Sequence, residues 1–152
     1  PANASRDRLV FESNIESAVA NADFVQENVP ERATLKTEVH VEISHHTRPG
    51  VVIASSSSGL LPSEIQSQSV RPESHLIGHP FAPVYLLPLV VVVGGKKTSE
   101  QAINAAGTFY ASIGMRPLRV RKEIDAYVAD RLQEEMWIRA LHLIKDGVPS
   151  IA

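Results

Sequence analysis

The stretch HLIGHPFAPVYLLPLVVVVGG, residues 75–95, narrows the folds open to this chain more than any other segment. Two apolar runs flank a turn stiffened by prolines, so the segment reads as a strand, a turn and a second strand, with strands near 75–79 and 88–93. A membrane helix is excluded there, because it needs roughly 20 unbroken apolar residues and Pro88 interrupts the run. One titratable ring, His79, stands at the first junction of an otherwise buried-looking segment.

Around this pair, strand-like and helix-like stretches alternate. RLVFE (8–12) is expected as a short strand and 13–22 as a short helix capped by Ser13. DFVQE (23–27) follows as a strand, 31–44 as a helix with Leu35, Val39 and Ile43 inward, and 50–58 as an apolar strand running into four serines. A helical turn is expected at 62–66. The clearest helix spans 99–113, where Ala102, Ile103, Ala106, Phe109, Tyr110 and Ile113 form an apolar stripe and Gly114 is the stop. RPLRVR (116–121) is a last strand and 125–146 a long helix with a broad apolar stripe. Such alternation predicts an α/β fold with a mostly parallel sheet. Ligands of these sheets bind beyond the carboxyl ends of the strands, where both the serine run and His79 fall.

At 152 residues, 43% hydrophobic and 21% charged, the chain can bury one domain's core. A formal net charge of −2 with no basic stripe gives no footprint for nucleic acid. The lack of cysteine excludes disulfides and thiolate chemistry and fits a reducing, cytoplasmic setting. The first residues have no signal-peptide layout, and both termini look like cuts through a larger protein.

Each polar cluster has a bland reading beside a functional one. IASSSSGLLPSE is a polar strand-to-helix loop or a hydroxyl shelf for a ligand oxygen. It lacks the G-x-S-x-G elbow of a serine hydrolase. A lone histidine such as His79 is more often structural than catalytic, and its standing rises because two polar loops should converge on it. His45 and His46 have no evident further ligands, so no metal site is assigned. Arg119, Arg121, Lys122 and Asp125 read as a charged helix entrance. Gly94-Gly95 follows a strand but lacks the later glycines of a dinucleotide fingerprint, and no G-x-G-x-x-G occurs.

The blocks DFVQENVPE, VVIASSSSGLLPSE, HLIGHPFAPVYLLPLVVVVGG and IGMRPLRVRKEIDAYVADRLQEEMW closely resemble the 3-hydroxyacyl-CoA dehydrogenase superfamily, most of all its L-carnitine 3-dehydrogenase branch. The resemblance runs along essentially the whole chain. It implies the later part of a Rossmann-type, doubly wound NAD-binding domain over 1–124, lacking the glycine-rich first unit. Residues 125–152 would then begin an all-helical dimerisation domain. By the same resemblance NAD is the cofactor, a small 3-hydroxy compound such as L-carnitine the substrate, and a homodimer the assembly, with no nucleic acid and no membrane as partners. His79 falls on the family's catalytic base and Ser58 on the serine that bonds the substrate hydroxyl. Glu27 and Lys36 fall on positions lining the cofactor site. Asp130 falls at the entrance of the helical domain, near the substrate.

Two positions depart from the family pattern. The turn reads H-x-F-N-P in the family, and Ala82 stands in place of the asparagine. The second strand reads L-V-E-V, and Val91 stands in place of the glutamate that pairs with the histidine. A carboxylate there fixes the tautomer of a base and stabilises its imidazolium, so a neutral, loosely held ring is expected. Two functions stay open: part of an NAD-dependent 3-hydroxy dehydrogenase, or a truncated or inactivated relative acting as a structural or partner-binding domain.

Overall fold

A computed structural model describes residues 6–149. Five strands form one sheet in the order β1 (Phe24–Glu27), β2 (Val52–Ser55), β3 (His75–Pro80), β4 (Leu89–Gly94) and β5 (Arg116–Val120). All pairings are parallel except β3 with β4, which the 81–88 turn joins as an antiparallel pair. Five helices accompany them: α1 (Ile15–Val19), α2 (Ala33–His46), α3 (Pro62–Ile65), α4 (Glu100–Ser112) and α5 (Val128–Lys145). The expected α/β class with a mostly parallel sheet is therefore the fold.

Side chains two apart on a strand share a face, and both faces are filled. Val52, Ala54, Leu76, Val90 and Val92 meet α4 through Ala102, Ile103, Ala106 and Tyr110. On the other face Ile53 packs with Val19 and Ile43, while Ile77, Val91 and Val93 pack with Ile65 and Tyr127. A run of four valines suits β4 because it is covered on both sides.

Helix α4 begins at Ser99, whose hydroxyl accepts from the Ala102 amide at 3.1 Å. It ends at Gly114, where φ is +88°. Ile113 lies past the last turn and is exposed rather than part of the stripe.

Two expectations at the start of the chain are corrected. Residues 8–12 are not a strand: a 3₁₀ turn covers Arg6–Arg8 and the chain then runs irregularly, with Leu9, Val10 and Phe11 exposed. Their apolar character has no paired neighbour among the described residues, and a strand without one gains little. Helix α1 is shorter than 13–22, and Asn14 rather than Ser13 caps it, accepting from the Ser17 amide at 2.8 Å. At the other end, α5 buries none of its own residues despite its apolar stripe. Its anchor is Tyr127, just before the helix, fully buried and donating its hydroxyl to the Leu60 carbonyl at 2.5 Å.

Candidate active site

Strands β1, β2 and β3 run parallel, so their carboxyl ends share one edge, and the residues singled out in the sequence collect there. After β2 the chain turns through Ser56–Gly59, held by one carboxylate. Glu31 Oε1 accepts from the Ser57 hydroxyl at 2.5 Å and from the amides of Ser58 and Gly59 at 3.1 and 3.3 Å. Burial pushes the Glu31 carboxyl up, but these donors and the Lys36 charge outweigh it and the pKa is lowered. Thus Glu31 is ionised and fixes the serine loop. Ser58, exposed at its tip, brings its hydroxyl 3.3 Å from His79 Nε2.

His79 sits near the end of β3, with Val91 as its register partner across the antiparallel pair. The valine is fully buried and offers no acceptor. The ring is nonetheless not without a carboxylate, which corrects the expectation drawn from Val91: Asp130, in the first turn of α5, reaches 3.6 Å from His79 Nδ1. Burial lowers the His79 pKa, and the negative charges of Asp130 and Glu31 offset only part of that. At neutral pH the ring is a neutral base. The Tyr127 ring lies beside it, with centroids 6.2 Å apart.

Glu27 and Lys36 lie deeper. Lys36 Nζ donates to both Glu27 oxygens, at 2.9 and 3.2 Å, and to the Val29 carbonyl at 3.0 Å. Glu27 also accepts from the Ser55 hydroxyl at 2.6 Å and the Val29 amide at 2.5 Å. Burial pushes its carboxyl up, but hydrogen bonds from His40, Lys36 and Ser55, with the Lys36 charge, hold it at about 2. The network continues through His40, 3.3 Å from Glu27, to His75, whose Nδ1 lies 2.8 Å from His40 Nδ1. One of those nitrogens must donate and the other accept, so the two rings hold opposite roles. Burial, then the charges of His40 and Arg71, lower His75 to about 3. This places Glu27 and Lys36 beneath the edge, supporting the loops that carry Glu31 and Ser58.

Sequence reading missed Glu31, Tyr127, His40 and His75. Glu31 had a signal, since it closes the same ENVPE block as Glu27. Tyr127 lies inside the 125–146 stretch expected as helix, where an apolar ring reads as one more part of the stripe. The imidazole pair joins α2 to β3 and had no local signature.

Residues 2–124 match the family of 3-hydroxyacyl-CoA dehydrogenase NAD-binding domains. The chain belongs to that family. Among relatives, it is 57% identical over 145 residues to an L-carnitine dehydrogenase of Pseudomonas putida, covering 95% of this chain and 45% of that protein. It is 54% identical over 145 residues to one of Bacillus cereus, covering 95% of this chain and 44% of the other. The chain thus spans less than half the length of these relatives. Among solved structures, an NAD⁺-dependent dismutase, FHMPC 5-dehydrogenase, superposes with a TM-score of 0.84 at 30% identity, covering 91% of this chain and 45% of that one. A 3-hydroxybutyryl-CoA dehydrogenase of Escherichia coli superposes at 0.86 with 23% identity, over 94% of this chain and 30% of that chain, a likeness of fold. No helix among the described residues is long and apolar enough to cross a membrane.

NAD, the cofactor of this family's domain, can be tested against the residues present. The Ser58 hydroxyl and His79 Nε2, side by side at an open strand edge, suit the reacting end of a nicotinamide-dependent oxidation. A pyrophosphate needs free amides at a glycine turn and helix start. The Gly94-Gly95 turn does not supply them: the amides of Gly95, Lys96 and Lys97 donate to Thr98, Ser63 and Gln66. Gly95 is needed for close approach, since a Cβ there would overlap the Gln66 side chain and crowd the backbone of Pro62 and Ser63. These residues fit the reacting end of NAD and not its phosphates.

Proposed function

We propose that this chain carries the reacting end of an NAD-dependent 3-hydroxy dehydrogenase, oxidising the secondary alcohol of a small substrate such as L-carnitine to a ketone. The 3.3 Å pairing of Ser58 Oγ with His79 Nε2 at the strand edge carries the reading. His79, neutral at physiological pH, takes the hydroxyl proton at Nε2 while Ser58 orients that hydroxyl. Oxidation of the hydroxyl-bearing carbon to a ketone would also require loss of a hydride, for which NAD, when bound, would supply the acceptor. Glu27 and Lys36 stiffen the cofactor side of the edge, and Asp130 borders the substrate side.

In this reading residues 1–124 are part of the NAD-binding domain and 125–152 open a helical unit. The exposed apolar side chains of α5, Leu132, Met136 and Trp137 among them, support a homodimer, and the cysteine-free composition supports a cytoplasmic setting. A non-catalytic role is favoured by Val91, which faces His79 across the strand pair and offers no acceptor. The two readings separate in a chimera in which this chain replaces the matched stretch of the Pseudomonas putida relative. With L-carnitine and NAD, the dehydrogenase reading expects NADH to form. A folded, dimeric chimera that forms none would support the non-catalytic role.

A further inference from the structure

We propose that Asp130 is the positioning residue for His79, supplying from α5 the carboxylate that Val91 cannot supply from β4. This rests on reading His79 as the base.

Two orphaned atoms face each other. His79 Nδ1 and Asp130 Oδ2 are both buried and both lack a hydrogen-bond partner, and they are 3.6 Å apart. Buried polar groups without partners are rare in folded proteins, and here each is the other's evident partner. The separation is a few tenths of an ångström beyond an ordinary hydrogen bond, a gap that a small shift of the first turn of α5 would close. The other ring nitrogen already faces Ser58. A proton held on Nδ1 toward Asp130 leaves the Nε2 lone pair toward the hydroxyl, the tautomer a base needs at that atom.

Asp130 also sits at an anchored end of its helix. Tyr127 is fully buried and bonded to Leu60. Arg131 Nε donates to the carbonyls of Asp125 and Ala126 at 2.8 and 2.9 Å. A carboxylate in the first turn is further favoured by the helix dipole. The polar and titratable groups facing the ring are thus Ser58 from the β2 loop, Glu31 from the β1 loop, and Tyr127 and Asp130 from the α5 entrance. Among these, only Asp130 addresses Nδ1. In this arrangement the base is oriented by the element that begins the helical unit, so ring geometry depends on the docking of α5.

The test is nitrogen NMR of the His79 ring in this chain, with circular dichroism as the folding control. The neutral ring is expected to carry its proton on Nδ1. Asp130→Ala should move it toward Nε2 and lower the titration midpoint. Should Asp130→Ala unfold the chain, the isosteric Asp130→Asn removes the charge and is expected to lower the midpoint as well. Adding Val91→Glu to Asp130→Ala should return both signals toward the parent. A tautomer and midpoint unchanged in a folded Asp130 variant would overturn the proposal. That failure is separable from failure of the base assignment, which shows instead as an active His79→Ala chimera.

Discussion

Lys36→Met places the buried network under direct test. Lys36 and Glu27 are 1% and 4% exposed, and the lysine makes three hydrogen bonds, two of them to that carboxylate. Removing one member of a buried pair costs about 3–5 kcal/mol, because a buried charge is left uncompensated. Ser55, His40 and the Val29 amide still address Glu27, so a loss near about 3 kcal/mol is expected, a large share of the roughly 5–15 kcal/mol a domain has. The exposed Arg119–Glu100 pair is the control: it is close at 2.7 Å, yet its partners are 51% and 74% exposed, and Arg119→Met should cost at most about 1 kcal/mol. Urea unfolding followed by circular dichroism at neutral pH reads both. A Lys36→Met loss no larger than that of Arg119→Met would refute the reasoning.

Acid stability should report the buried histidine. His75 is lowered from 6.5 to about 3, so the unfolded chain binds its proton first and stability falls as pH drops through that window. The loss reaches about 2 kcal/mol near pH 5, and His75→Gln should flatten the slope in urea midpoints measured at the two pH values. Glu27, lowered from 4.5 to about 2, adds its loss only below about pH 4.5, as falling pH approaches its folded value. A Cβ at Gly78 would overlap the Tyr110 hydroxyl, which donates to Gln26 at 2.5 Å. Gly78→Ala is therefore expected to cost about 1–3 kcal/mol, and adding Tyr110→Phe to recover part of it in the melting temperature. Calorimetric titration of NAD into the chain should give binding weaker than low micromolar, since the Gly95, Lys96 and Lys97 amides are already engaged; tight binding would contradict this.

Alternation of β-branched runs with amphipathic helices made the sheet legible, and the strand exits made the placement of Ser58 and His79 legible. The pairing of Val91 with His79 was expected from the family resemblance, in which a glutamate at that position meets the histidine, and the antiparallel register of β3 and β4 places the two residues opposite each other. Contacts between distant segments were not legible. Asp130 reaches His79 from the start of α5, which Tyr127 anchors at Leu60, a matter of tertiary packing. The same holds for the His40–His75 pair and for the clamp of Glu31 on the serine loop. Residues 8–12 misled in the other direction: local β propensity is weak where no neighbouring strand receives it.

The rate of NADH formation by the chimera, compared among the parent, His79→Ala and Ser58→Ala, bears most directly on the proposed chemistry. Removal of a general base costs on the order of 10²–10⁴ in rate, so kcat for His79→Ala should fall by that factor with a native circular dichroism spectrum. Ser58→Ala should be severely impaired as well. A folded His79→Ala chimera that oxidises L-carnitine at the parent rate would contradict the assignment of His79 as the base.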